Sequence, residues 1–471
     1  MSVTATAPGA ALQSARDPLT LALDRAAGTR PIEGNRLQHF ADSPRALDAM
    51  LAAIAAARRW VHFENYIIRD DATGYRFAAA LADRASAGVR VRVLYDAFGS
   101  FGTSRKFWRR LVQAGAEVRA FNPLLTLRPY ELVSRDHRKL VVADGGWAMV
   151  GGLCIGDEWA GDPARGRRPW RDTMVAVTGP AAAAFDGAFA RVWGRTGPPL
   201  PPDELDADPA TAGGSSVRVV EGVPGRARVY RAVELLVASA AERLWITDAY
   251  LIPPAPLYAS LLDAAKSGVD VRLLVPGASD LPVVRNFTRV GYRQLLRAGV
   301  RVYEYQGPMI HAKTMLVDRR WARVGSSNLN VSSLLSNYEL DLAAECEQLT
   351  EELARQFRHD LMQSSEIVLQ PRPMRLPPRL VGEEPVQGDT EHNRSGYELG
   401  AVAVVAFRRV AGGLRRAMAV TGTVGFTVVG ALLLAFPRVA GIVLAAGSFS
   451  LALGFALYAF ERRRTRDSDD G

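Results

Sequence analysis

The chain has 471 residues, of which 48% are hydrophobic, and carries a formal net charge of +9. Its length allows about three domain-sized units, and the charge favours anionic partners such as phospholipid head groups, a membrane surface or nucleic acid. The two cysteines, Cys154 and Cys346, exclude a disulfide framework and a zinc site, and read as reduced thiols.

Residues 1–35 are rich in Ala, Pro, Ser and Thr, with no basic segment followed by an apolar core. They predict a weakly ordered lead-in and no cleaved secretory signal. From 36 to 195, helix and strand patterns alternate. Residues 47–60 have helical apolar spacing, and Trp60 opens a strand pattern. A helix over 77–88 precedes a strand ending at Asp96, and a helix over 107–115 precedes a strand ending at Phe121. Such alternation predicts an α/β layered domain with a largely parallel or mixed sheet. Residues 196–216, rich in Pro, Gly and Asp, read as a linker.

Over 217–367 the pattern restarts. Helix 232–244 leads to a strand from Trp245, helix 257–268 to a strand from Val269, and helix 292–299 to a strand from Val300. Equivalent landmarks keep nearly constant offsets: Gly88 to Gly268 is 180, Gly115 to Gly299 is 184, and His137 to His311 is 174. A repeat of that length predicts two homologous domains. Residues 368–397 read as a second linker, and 398–471 change character. An amphipathic segment precedes two uncharged runs, 417–436 and 439–460, each long enough to cross a bilayer core of about 30 Å. Arg408, Arg409, Arg415 and Arg416 precede the pair, and Arg462, Arg463, Arg464 and Arg466 follow it. The positive-inside rule puts both ends of this transmembrane hairpin in the cytoplasm, with the catalytic body tethered at the inner face of the cell membrane.

Two of the six histidines occupy equivalent places in the repeat. The pattern His-x-Lys-x4-Asp occurs as His137, Lys139, Asp144 and again as His311, Lys313, Asp318, each before an apolar run and a Gly-containing turn. These six are the candidate catalytic residues. A histidine and a lysine two apart on a strand share a face. Neutral imidazole attacks phosphorus, its protonated partner protonates the leaving oxygen, and lysine offsets charge on phosphoryl oxygens. Two copies therefore suit one composite site for phosphodiester cleavage. Asp144 and Asp318 read as braces for the motif loops.

In these motifs the chain resembles the phospholipase D superfamily, and within it bacterial enzymes of the cardiolipin synthase type. The second copy continues through Gly325, Ser326 and Asn328, whereas the first gives Gly151, Gly152 and then Cys154 where asparagine is usual. Similarity extends through residues 64–71, 152–159, 169–180 and 336–342. The resemblance implies two tandem α/β/α sandwich domains related by pseudo-twofold symmetry. It implies a phosphohistidine on His137, with His311 as acid and base. Lys139, Lys313 and Asn328, with Ser326 nearby, are implied as the phosphate site, and Asp172 and Glu339 as acids that orient the histidines across the halves. For Cys154, replacement of the contact by another group, a reduced rate and an altered substrate all stay open, and a nucleophilic role is disfavoured.

Arg165, Arg167, Arg168 and Arg171 read as a solvated face, and Trp159, Trp170, Trp193 and Trp245 as buried aromatics. No cluster has metal-ligand spacing and no Walker-type loop appears, so no metal or cofactor is expected. The expected reaction moves a phosphatidyl group from phosphatidylglycerol to a second phospholipid or other alcohol at a membrane. Hydrolysis by the same site is the alternative, and nucleic-acid cleavage is a more distant one. Oligomeric state and the order of the histidines stay open.

Overall fold

A computed structural model describes residues 17–123 and 134–369. The described residues all belong to one compact unit, which ends at Leu369. The hairpin expected over 417–436 and 439–460, its amphipathic lead and residues 1–16 lie outside the described residues. Among the described residues no helix is long and apolar enough to cross a membrane.

Part of the lead-in expected to be weakly ordered is folded. Asp17 caps helix α1 (Pro18–Ala27), Pro18 pre-sets its first turn, and Gly28 ends it at φ 65°. Leu23, Ala26 and Ala27 bury against the second half, which supplies the packing that an isolated ten-residue helix lacks.

The first half then runs β1 (Ile32–Phe40), α2 (Ser43–Ala56), β2 (Trp60–Asn65), α3 (Ala72–Ser86), β3 (Arg90–Asp96), α4 (Arg105–Gln113), β4 (Glu117–Phe121), β5 (Lys139–Ala143), β6 (Trp147–Gly151), α5 (Asp157–Ala160), β7 (Met174–Thr178) and α6 (Pro180–Trp193). The second half repeats this as β8 (Ser215–Gly222), α7 (Arg228–Ala238), β9 (Arg243–Thr247), α8 (Ala255–Lys266), β10 (Asp270–Pro276), α9 (Pro282–Arg297), β11 (Arg301–Tyr305), β12 (Thr314–Val317), β13 (Trp321–Gly325), β14 (Glu339–Glu345) and α10 (Glu347–Leu361). Strand β15 (Ser364–Ile367) adds an edge beside β11.

One continuous mixed sheet has the order β15-β11-β10-β9-β12-β13-β14-β8-β1-β7-β6-β5-β2-β3-β4. It reads the same way outward from the antiparallel β1–β8 junction, which is the signature of an internal twofold. In each half three strands are parallel (β2-β3-β4 and β9-β10-β11), and the motif strand joins them antiparallel. Period-two alternation sends Leu140 and Val142 to the layer under α6 and α10, and Val141 and Ala143 to the layer under α2 and α3.

Residues 196–216 are pinned rather than loose. Glu204 is fully buried, accepting from Arg92 Nε at 3.0 Å and lying 3.3 Å from Nε2 of His62, whose Nδ1 lies 2.6 Å from Asp186. A buried carboxylate needs such partners, and this one straps the segment to the first half. Helix α9 begins at Pro282, ten residues before the predicted start. Its first half is rich in β-branched residues and leaves its apolar side chains exposed, so neither propensity nor a buried face marks it.

The two motif aspartates end their strands at positive φ, 53° at Asp144 and 52° at Asp318. Asp144 accepts from the backbone N–H groups of Arg58, Arg59 and Trp60 at 2.7–2.9 Å, and Asp318 from those of Ala241, Glu242 and Arg243 at 2.8–3.2 Å. They tie each motif strand to the start of its neighbour. Asp144→Ala loses three charge-assisted bonds and places alanine in the left-handed region, a combined loss of about 2–3 kcal/mol. Denaturant unfolding should show that loss, with kcat of the surviving folded protein within twofold of wild type.

Candidate active site

Neither histidine lies inside a regular strand. Lys139 is the first residue of β5, Lys313 immediately precedes β12, and each histidine stands two residues earlier. There the backbone leaves its own sheet and pairs with the other half. His137 N–H donates to Tyr338 O at 2.9 Å, and His311 N–H donates to Arg171 O at 2.7 Å. The next residue along each partner segment is the acid that holds the ring. His137 Nδ1 lies 3.0 Å from Glu339, and His311 Nδ1 lies 2.8 Å from Asp172. Each half therefore orients the other half's imidazole.

The two acids are braced differently. Glu339 accepts from Ser326 Oγ at 2.5 Å and from Ser333 Oγ. Asp172 accepts from Trp159 Nε1 at 3.1 Å and from the Thr173 N–H at 2.8 Å. Gly152, which matches Ser326 in the repeat, leaves the room that Asp172 fills: a Cβ there would meet Asp172 Oδ1 at 2.3 Å. Arg171 leaves the basic face expected of it. It is mostly buried, pairs with Asp360 at 2.9 Å and donates to the Asp172 carbonyl, whereas exposed Arg167 pairs with half-buried Asp162.

Tyr66 packs edge-on against His137 at 4.9 Å between ring centroids, and Tyr250 packs similarly against His311 at 5.8 Å. Lys139 and Lys313 lie 5.0 and 5.8 Å from these tyrosine rings and donate to the carbonyls of His137 and His311. Trp159 and Trp170 also border His311, at 5.6 and 6.1 Å. The buried side-chain oxygen of Asn328 has no partner among the described residues, and its backbone N–H is fixed by Ser333 at 2.9 Å. A phosphoryl oxygen accepts, so the end of this amide that can bind one is Nδ2. Cys154 is fully buried, and burial raises its thiol above the ordinary range, so it stays protonated. Both cysteines are free.

Asp144 and Asp318 lie at the far ends of the motif strands, away from the histidines. In the β2–β5 register Asn65 faces Lys139, while Asp144 caps the Trp60 end. Sequence reasoning missed Tyr66, Tyr250, Ser333 and the roles of Trp159 and Arg171. The only readable signal was a tyrosine near the end of the same strand in both halves.

Desolvation sets the protonation of these groups. Burial lowers His137, with Lys139 and Lys313 adding to the effect, and it lowers His311 to about 4, with Lys313 the next cause. Lys313 falls to about 8, again chiefly by burial. Burial alone would raise the two acids, but His311 beside Asp172 and His137 beside Glu339 outweigh it, aided by the lysines, and both carboxyls stay below their ordinary range. The state is two neutral imidazoles, each donating Nδ1–H to a carboxylate and presenting a bare Nε2.

A duplicated α/β fold with two His-x-Lys motifs cross-braced into one polar site is that of a phospholipase D-like protein. A family model described as "Cardiolipin synthase, PLD-like domain" matches residues 50–193 and 234–361, and the chain belongs to that family. It is 34% identical over 358 residues to cardiolipin synthase A of Pseudomonas aeruginosa, covering 74% of this chain and 72% of that one. It is 36% identical over 324 residues to the cardiolipin synthase of Halalkalibacterium halodurans, covering 67% and 64%. The crystal structure of phosphatidylserine synthase from Haemophilus influenzae shares the fold, with a TM-score of 0.60 at 13% identity over 74% of this chain and 92% of that one.

Two outcomes follow. Gly152→Ala pushes Asp172 off His311 and should lower both kcat, at least about tenfold, and the unfolding midpoint, while the circular dichroism of the folded protein stays that of wild type. Lys313 acts through its charge, which a lowered pKa removes as pH rises. The kcat/KM of the free enzyme should therefore fall above about pH 8. Lys313→Arg should erase that alkaline limb while reducing the rate, because guanidinium stays charged but has a different shape.

Proposed function

We propose that the chain is a phosphatidyltransferase of the cardiolipin synthase type, acting through a phosphohistidine. The observation that carries this reading is the reciprocal bracing. Each imidazole is held at Nδ1 by a carboxylate from the opposite half, which frees its Nε2, and Lys139 and Lys313 lie close enough to act electrostatically on both rings.

His137 Nε2 attacks the phosphorus of phosphatidylglycerol, the bond to the glycerol oxygen breaks, and His311 gives that oxygen a proton. Burial keeps His311 neutral by itself, and the anionic phosphodiester supplies the countercharge that lets it hold this proton. A hydroxyl of a second phospholipid, deprotonated by His311, then attacks phosphorus and the P–N bond breaks. Lys139, Lys313 and Asn328 hold the nonbridging oxygens as charge builds on them. One phosphodiester replaces another, so no energy source is needed.

Two phospholipase D-like domains, 36–195 and 217–367, would form this body. The uncharged runs 417–436 and 439–460 with their flanking arginines would hold it at the cytoplasmic face of the cell membrane.

The test is incubation of purified full-length protein with phosphorus-labelled phosphatidylglycerol. Cardiolipin and free glycerol in equal amounts are expected. Phosphatidic acid as the sole product would make the enzyme a hydrolase, and cleavage of nucleic acid without lipid turnover would sink the lipid assignment. His137→Ala should reduce turnover about a thousandfold or more. Acid-labile, base-stable label should be trapped on the wild-type chain after quenching and be absent from that variant.

A further inference from the structure

The fold leaves two apolar tips uncovered, at equivalent places in the duplication. One follows β3, where Phe98 and Phe101 are 61% and 74% exposed. The other follows β10, where Leu281 leads into α9 and Val283, Phe287 and Val290 are 68%, 59% and 60% exposed. The last three are spaced i, i+4, i+7 and form one stripe; only from Tyr292 onward does α9 bury its side chains. The helix projects an apolar face that nothing among the described residues covers.

Both tips adjoin the site. Gly99 sits so close to Tyr66 that a Cβ there would meet its ring at 2.9 Å, and Tyr66 packs on His137. Arg135, two residues before that histidine, lies over Phe98 at 5.8 Å. On the other side Asp280, next to Leu281, accepts from Tyr250 Oη at 2.8 Å, and Tyr250 packs on His311. Each tip is thus one contact removed from a tyrosine that touches a histidine. Beside the first tip, α4 buries Phe107 and Leu111 and exposes Arg105, Lys106, Arg109 and Arg110.

We infer that these paired tips dock the catalytic body onto an anionic lipid surface and straddle the point where a head group enters. The inference rests on the phospholipid reading of the site. A lipid phosphodiester has to reach histidines that are nine-tenths or more buried, and apolar tips flanking them would let it do so without leaving the bilayer. Charge selects the occupant. Four cations on α4 would face their own copies in a twofold self-association, whereas anionic lipid neutralises them.

The test uses the full chain with Cys346→Ser, carrying a polarity-sensitive dye on Phe101→Cys, Phe287→Cys or, as control, Lys266→Cys. It is reconstituted into phosphatidylcholine vesicles with and without phosphatidylglycerol. The first two dyes should shift to the blue and be quenched by lipid-borne quencher, more strongly with phosphatidylglycerol, and the control should not. Phe98→Ser with Phe101→Ser, or serine at Val283, Phe287 and Val290, should raise the apparent KM for vesicle phosphatidylglycerol about tenfold. The kcat on a water-soluble short-chain substrate should stay within twofold. Dyes that remain in water on the vesicles overturn the docking surface. So do dyes already shielded in detergent and unchanged on reconstitution, or shielding that disappears on dilution to monomer. Lipid quenching without turnover of any phospholipid would keep the surface and reject the substrate reading. Normal turnover with unquenched dyes would do the reverse.

Discussion

Everything at the centre of this molecule depends on two buried carboxylates that belong to the wrong half. Glu339 and Asp172 are at most 1% exposed, and each finds its principal countergroup on the opposite repeat. A buried carboxylate left unpaired would cost several kcal/mol, so neither half can keep its acid without the other. Each main chain repeats the lock one residue away, through Tyr338 to His137 and Arg171 to His311. Arg138, between the motif His and Lys, is fully buried and reaches Glu221 of β8 at 3.1 Å and the Ala188 carbonyl at 2.9 Å. Orientation of the imidazoles and association of the halves are the same set of contacts.

The sheet makes that exchange geometrically possible. Because strand order mirrors itself about the β1–β8 junction, the two motif strands run in equivalent positions, and their leading ends can each meet the other half just ahead of β14 or β7. Layers of apolar side chains above and below hold this register, since slipping a motif strand by one residue would turn Val141 and Met315 out of their clusters. The braces at Asp144 and Asp318 fix the other end of each strand. The motif strands are therefore fixed at both ends, at the histidines and at the aspartates.

Much of this was legible because duplication writes everything twice. One His-x-Lys on a strand says little, but two at matching offsets name the site, and alternating periods of two and about 3.6 give the layered α/β class. What stayed hidden depends on contacts across large sequence distances. Arg171 looked like one of four solvated arginines until its pairing with Asp360, 189 residues away, came into view. Trp159 looked like any core aromatic, though its N–H fixes Asp172. Residues 18–27 lacked a pattern of their own because α7, far along the chain, provides their packing surface. The start of α9 escaped for the opposite reason, since its apolar stripe packs on nothing described.

The repeats have diverged into unequal partners, and the differences compensate locally. The second half uses a glutamate with two serine hydroxyls beneath it, so the longer acid is held by short donors. The first half uses a shorter aspartate, a glycine that admits it and a tryptophan that donates from the side. Changing one member of either set without the others would leave a gap or a clash under an imidazole. Cys154 fits the same logic: opposite Asn328 in the repeat, it is a buried neutral thiol that offers phosphate little. The walls around the two imidazoles differ as well: His311 is bordered by Trp159, Trp170 and Tyr250, whereas His137 has Tyr66 and the serine-braced Glu339 beside it.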